Sequence, residues 1–168
     1  SMLSHFTSKV RTYSTADAKV ILEATSKTDL PVDLGIWISG DHKENHLEIQ
    51  RALKLLEQYP DNIANVIVGN ETLLRADLNE DELFAYIDFV AEFTNKPITC
   101  AETWDVWERI PDLAKHVDFI TIHILPYWEK VPIERFNEFI IEKYSVVENL
   151  FPHKKINIGE TGWPSHGY

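Results

Sequence analysis

Six short apolar runs punctuate this chain: Val10 to Tyr13, Leu34 to Ile38, Val66 to Gly69, Ile98 to Ala101, Phe119 to Ile124 and Ile156 to Gly159. They are too short for helices and rich in β-branched residues, so each predicts a strand. The longer stretches between them carry a helical period instead. Leu83, Phe84, Ile87, Val90 and Ala91 fall on one stripe at the spacing of an α-helix, and Asn79 followed by Glu82 predicts a capping pair at its start. Ile49, Ala52, Leu53 and Leu56 line one face of a helix over Lys43 to Gln58, which Pro60 ends. Pro132 predicts the first turn of a last helix that carries Ile133, Phe136, Ile140 and Val147.

The apolar runs recur at roughly 20 to 40 residues, the length of a strand-helix unit, so the expected class is α/β with a parallel sheet. No glycine-rich phosphate turn follows any run, which weighs against the open nucleotide-binding sheets and favours a TIM-type (β/α) barrel. Such a barrel has eight units. This sequence supplies six candidates, so a barrel truncated or contracted to about six βα units is expected.

Composition narrows the partners more than the chemistry. With 168 residues and 44% hydrophobic side chains, the chain is expected to form one domain over residues 1–168. A balance of 27 acidic against 16 basic residues gives a formal charge of -11, which repels nucleic acid and anionic membrane surfaces but not a neutral polymer. Cys100 is the only cysteine, which excludes an intrachain disulfide and a thiolate metal cluster. No run approaches the roughly 20 apolar residues of a membrane span. The start lacks the regions of a secretion signal, and Ser1-Met2 reads as an expression scar. His5, His42, His46, His116, His153 and His166 follow no recognisable ligand spacing.

Two of the strand candidates deliver a glutamate. Val66-Ile67-Val68-Gly69-Asn70 is followed by Glu71, and Ile156-Asn157-Ile158-Gly159 by Glu160. In a parallel barrel both would reach the carboxyl edge of the sheet, where sites are built. A retaining glycosidase needs one carboxyl group to protonate the leaving oxygen and a second, about 5 to 5.5 Å away, to attack the anomeric carbon. Asn70 is placed to bond a sugar 2-hydroxyl. Tyr13, Trp104, Tyr127, Trp128 and Trp163 all lie just past strand candidates, where flat rings can stack on sugar rings. Glu102, a third carboxylate past a strand, is a candidate for raising the proton affinity of Glu71 or bonding a sugar hydroxyl, against the alternative of a structural ion pair. His123 is read as a ligand of sugar or glutamate, or as a satisfied core histidine. Arg11 near a carboxylate would keep it ionised. Asn70-Glu71-Thr72 matches a glycosylation acceptor, but a glycan there would block the site, so the match is read as accidental and as favouring a non-eukaryotic source.

Four segments together carry a resemblance: Val10-Arg11-Thr12-Tyr13-Ser14, Val68-Gly69-Asn70-Glu71, His123-Ile124-Leu125-Pro126-Tyr127-Trp128, and Gly159-Glu160-Thr161-Gly162-Trp163-Pro164-Ser165. In this order they resemble glycoside hydrolase family 17, the β-1,3-glucanases and glucanosyltransferases, in particular its bacterial branch. The resemblance implies Glu71 as acid/base and Glu160 as nucleophile, a β-glucan oligo- or polysaccharide as substrate, no metal or cofactor, and an extracytoplasmic location. Members are eight-stranded barrels, so the resemblance also implies that the first and eighth strands are missing here. The unpaired edges left behind suggest a homo-oligomer that covers them. Two other classes compete: a non-catalytic glucan-binding or assembly module, and a metal-dependent isomerase or hydrolase using Glu71, Glu102, His123 and Glu160 as ligands.

Overall fold

All six apolar runs form strands. The computed structural model describes residues 6–28 and 30–165; Ser1-Met2, His5 and His166 lie outside them. The strands are β1 (Val10–Arg11), β2 (Val32–Ile36), β3 (Ile63–Asn70), β4 (Ile98–Thr103), β5 (Ile120–Ile124) and β6 (Ile156–Thr161). They pair in parallel and in chain order from β1 to β6. In a flat sheet, five spacings of about 4.8 Å would hold β1 and β6 some 24 Å apart. Instead the Arg11 guanidinium of β1 bonds the Gly159 carbonyl of β6 at 3.2 Å. The sheet is therefore curled into a half-barrel, with the concave face bridged by a side chain.

Helices pack on the convex face: α1 (Thr15–Thr25), α2 (His42–Gln58), α3 (Glu80–Ala91), α4 (Trp104–Arg109) and α5 (Phe136–Leu150). Leu22, Ile49, Leu83, Ile87 and Val147 meet Leu34, Ile36, Val66, Val68, Ile98, Cys100 and Ile122 in one buried cluster. Each fully buried Leu, Ile or Val contributes on the order of 1.5–3 kcal/mol, so this layer holds the sheet's curvature. The capping box at α3 forms as its sequence predicts, with Asn79 and Glu82 bonding each other's backbone amides. Asp41 caps α2 by accepting from Lys43 and Glu44. At α1 the cap comes from elsewhere in the fold: buried Glu48 of α2 accepts the Thr15 amide at 2.6 Å.

Several boundaries differ from the pattern-based expectation. The first strand stops at Arg11: Thr12 still donates its amide to the Asp33 carbonyl, and the chain bends at Tyr13 and Ser14 to start α1. Helices α1 and α4 carry no long apolar stripe. The buried face of α1 is Thr15, Ala18, Leu22 and Thr25, of which Leu22 alone is large and apolar, and this hides its period. At the last helix, Pro132 stands outside and Ile133–Arg135 forms a separate 3-10 turn before α5 begins at Phe136. Ile133 is half exposed, and Phe139 and Val147 are the residues α5 buries. Strand β5 is buried throughout, whereas β6 is only partly covered, and its Ile158 is 40% exposed. That contrast marks β6 as an edge of the half-barrel.

Candidate active site

The carboxyl end of β3 leaves ordinary strand geometry before it presents its glutamate. Gly69 has φ +83, and a Cβ there would lie 2.9 Å from Thr72 Oγ1, so only glycine fits. Glu71 follows with φ +54, a left-handed conformation that a glutamate adopts only when its surroundings impose it. Its amide still bonds the Ala101 carbonyl of β4 at 2.7 Å, and its carbonyl accepts the Arg75 amide at 2.9 Å. Thr72 is buried with its hydroxyl on the Ile38 carbonyl, so the Asn-Glu-Thr triplet is built into the framework of the site.

Three strands converge on Glu71. His123, fully buried on β5, stands in register with Thr103 of β4 and Glu160 of β6. Its Nδ1 lies 2.7 Å from Glu71 Oε1, and its Nε2 lies 3.5 Å from Glu160 Oε1 and 3.2 Å from Arg11 Nη1. A guanidinium can only donate, so Nε2 accepts from Arg11 and Nδ1 carries the proton that is donated to Glu71. Arg11 also donates to Asn70 Oδ1 at 2.6 Å and lies 3.9 Å from Glu160 Oε1. Oxygen atoms of Glu71 and Glu160 come within 4.8 Å of each other, with a His123 nitrogen inside the same radius.

Charge in this cluster is uneven. The His123 hydrogen bond holds the Glu71 carboxyl below the ordinary carboxylate value; burial opposes it, and Arg75 and Arg11 reinforce it. Burial and the nearby Glu160 charge push Tyr13 above the ordinary phenol value, while the Arg11 guanidinium 4.6 Å from its ring centre pulls it back. Glu71, His123 and Glu160 have the atom types to hold a divalent ion. However, Arg11 is fixed among them, bonded to His123 and facing Glu160, and its positive charge opposes a second cation.

Beside the glutamates opens a cleft of ≈ 600 Å³ lined by Glu71, His123, Leu74, Thr103, Trp104 and Trp128 among others. Trp104 is held by Glu129, which accepts its indole N–H at 2.9 Å, and by the Lys143 ammonium over its ring. Trp128 is 75% exposed and stands edge-on to Tyr127, which in turn stands edge-on to Trp163. Together they form an aromatic rim.

Of the residues singled out from sequence, Arg11, Tyr13, Asn70, Glu71, His123 and Glu160 meet in one cluster, and Trp104, Tyr127, Trp128 and Trp163 border it. Glu102 is placed differently. It is fully buried, and its oxygens accept the Leu73 and Leu74 amides at 2.7 and 3.3 Å, so it contacts the turn behind Glu71 rather than the cleft. Three residues escaped the sequence reading. Trp37 was absorbed into an apolar run, yet its ring is partly exposed at the end of β2 beneath the Arg75 guanidinium at 4.5 Å. Arg75 itself bonds the Asn70 and Ile38 carbonyls and so closes the turn. Phe136, counted as part of a helix stripe, packs edge-on against Trp163 at 6.2 Å.

Comparison with known proteins places these observations in a family. A family model described as the BtgE/BtgC glycoside hydrolase domain matches residues 1–168. A protein of Aspergillus fumigatus named probable glucan endo-1,3-beta-glucosidase btgC is 26% identical over 99% of this chain and 27% of its own length. The glucan 1,3-beta-glucosidase of Arthroderma benhamiae is 29% identical over 94% of this chain and 56% of its own. Both of these relatives are fungal. Among solved structures, the glycoside hydrolase family 17 beta-1,3-glucanosyltransferase from Rhizomucor miehei superimposes with a TM-score of 0.87 at 28% identity, over 97% of this chain and 63% of that one. An active-site mutant of the Rhizomucor miehei beta-1,3-glucanosyltransferase has been solved in complex with laminaritriose. An endo-laminarinase from Formosa Hel1_33_131 shares the fold, with a TM-score of 0.78 at 19% identity. This chain spans less than two thirds of each of these proteins.

Proposed function

We propose that this chain, which belongs to the BtgE/BtgC glycoside hydrolase domain family, is the catalytic portion of a retaining enzyme that hydrolyses or transfers β-1,3-glucan, with Glu71 as acid/base and Glu160 as nucleophile. The observation that carries this reading is the approach of the two carboxylates to within 4.8 Å, oxygen to oxygen, with Glu71 lining a cleft that also holds Trp104 and Trp128. Retention needs carboxyl groups about 5 to 5.5 Å apart, whereas inversion leaves room for a water at about 6.5 Å or more.

In the first half-reaction Glu160 attacks the anomeric carbon and forms a glucosyl-enzyme while Glu71 protonates the departing oxygen. The positive charge of Arg11 stands beside Glu160. Glu71 is ionised in the free protein because His123 donates to it. A sugar entering the cleft strips water from Glu71, and that desolvation works in the direction already opposing His123, towards the protonated acid. In the second half-reaction the now ionised Glu71 takes a proton from water or from an acceptor sugar and so returns to its protonated form, while that oxygen attacks the anomeric carbon and Glu160 leaves as a carboxylate. Because Arg11 occupies Asn70 Oδ1, the amide nitrogen of Asn70 is the atom left to donate to the 2-hydroxyl.

Trp104 and Trp128 would stack glucose units along the cleft, and Trp163 with Tyr127 would extend the platform. A polymeric glucan carries an extracytoplasmic location with it, and among the described residues no helix is long and apolar enough to cross a membrane. The open edges at β1 and β6 would be covered by a second copy, which a solution mass would show as a dimer.

The test is the stereochemistry of the first product. Proton NMR during cleavage of laminari-oligosaccharides should show the β-anomer first, and Glu160→Gln should abolish turnover. An α-anomer first would overturn the retaining mechanism. Binding with no turnover by the unaltered protein would leave only a glucan-binding module.

A further inference from the structure

The proposed reaction leaves one nearby acid without a role. Glu102 is fully buried at the end of β4, where an unpartnered carboxylate would be costly. Both of its oxygens are engaged, and by the same short turn: Leu73 donates at 2.7 Å and Leu74 at 3.3 Å. That turn begins at Glu71, whose φ of +54 needs an external hold. The other side of the turn is held by Arg75, which bonds the Asn70 and Ile38 carbonyls, and by the Thr72 hydroxyl on Ile38.

We propose that Glu102 is a positioning residue for Glu71: its buried carboxyl grips the Leu73 and Leu74 amides and so keeps Glu71 in the left-handed conformation that aims it at His123 and the cleft. This inference rests on the assignment of Glu71 as acid/base. Glu102 never touches the sugar. The charged and titratable groups that face it are Glu71 and Arg75 on the gripped turn and Cys100 on its own strand, whose thiol is pushed up by burial and by the Glu102 charge. Burial pushes Glu102 up to about 7, against the pull of the two amides. At mildly acidic pH it is therefore a neutral acid whose carbonyl oxygen still accepts from Leu73. Glutamine reproduces that group and leucine does not.

Glu102→Gln and Glu102→Leu separate the role from simple packing. At pH 5 the glutamine variant should keep kcat on laminari-oligosaccharides within about threefold, while the leucine variant should lose about 100-fold in kcat, the scale of a 1 Å misplacement of a reacting group, with KM within about threefold. Carbon NMR titration of the Glu71 carboxyl supplies a readout that needs no activity. Glu71 should titrate below the ordinary carboxylate value in the unaltered protein and in Glu102→Gln, and return towards that value in Glu102→Leu as the His123 bond is lost. Hydrogen exchange on the unaltered protein should show the Leu73 and Leu74 amides opening only with global unfolding, which keeps a test available should the leucine variant fail to fold.

The proposal is overturned by full kcat in Glu102→Leu, by equal losses in both variants, by a loss confined to KM, by an unchanged Glu71 titration, or by fast exchange at Leu73. If the unaltered protein cleaves no glucan, the proposed function fails, while the Glu71 titration still decides the positioning.

Discussion

Gly159 is the point at which packing and chemistry meet, so Gly159→Ala is the most informative single substitution. A Cβ built there lies 2.6 Å from Thr121 Cγ2, 2.8 Å from Arg11 Nη1 and 3.1 Å from His123 Cδ2. The first two separations are shorter than real side-chain carbons tolerate, and the threonine methyl is fixed to a buried central strand. The Thr121 overlap is cleared only if β6 shifts, and the other overlap if Arg11 withdraws from the Gly159 carbonyl and from His123, both now bonded at 3.2 Å. Overpacking of this kind costs about 1–3 kcal/mol. For a chain of this size 1 kcal/mol lowers Tm by roughly 2–4 °C, so a fall of about 2–12 °C is expected. Withdrawal of Arg11 also removes the positive charge beside Glu160 and frees the His123 nitrogen whose acceptor role fixes its tautomer. Turnover should therefore fall further than KM rises. Calorimetry beside a reducing-sugar assay on laminari-oligosaccharides measures both. An alanine variant with unchanged Tm and unchanged kcat would refute the claim that β6 seats its backbone against Arg11 and His123.

Other perturbations test separate parts of the site. Trp128→Ala should raise KM for laminari-oligosaccharides about tenfold, equivalent to about 1.4 kcal/mol of stacking, with kcat little changed and Tm within about 1 °C, because the ring is largely exposed. Activity should be unaffected by EDTA, since the Arg11 guanidinium opposes a cation between Glu71 and Glu160; loss of activity restored by a divalent ion would reinstate a metal-dependent enzyme. Glu102 gives a pH dependence of stability with a definite sign. Its folded value of about 7 lies above the ordinary 4.5, so between these two the folded state binds the extra proton and stability falls as pH rises, by up to about 3 kcal/mol. Denaturant titrations at pH 5 and pH 8 should show this slope in the unaltered protein and a smaller one in Glu102→Gln; equal slopes would contradict it.

The strands were legible because a parallel strand covered on both faces reads as a continuous apolar run, and β3, β4 and β5 are such runs. Helices α2 and α3 announced themselves by period and caps. Helix α1 did not, because threonine and alanine supply three of the four residues on its buried face and its N-terminal amide is satisfied by Glu48, far away in sequence. Pro132 was a true boundary signal read one turn too early: it opens a 3-10 turn, and the α-helix starts after it.

The site was legible as residue types at strand ends, but the partnerships were not. Nothing in the order of residues says that His123 stands between two glutamates or that Arg11 ties β1 to β3, β5 and β6; those contacts exist only because the sheet curls. Glu102 is the instructive case, because strand alternation alone would have located it. Thr99 bonds Thr121 across the concave face and Thr103 lines the cleft, so the residues between them in register, Cys100 and Glu102, must point to the helix side. His123 falls on the concave parity with Thr121. The side of a strand that a carboxylate occupies thus separates an acid that can meet a sugar from an acid that can only hold the backbone, and in this half-barrel Glu71 and Glu102 fall on either side of that division.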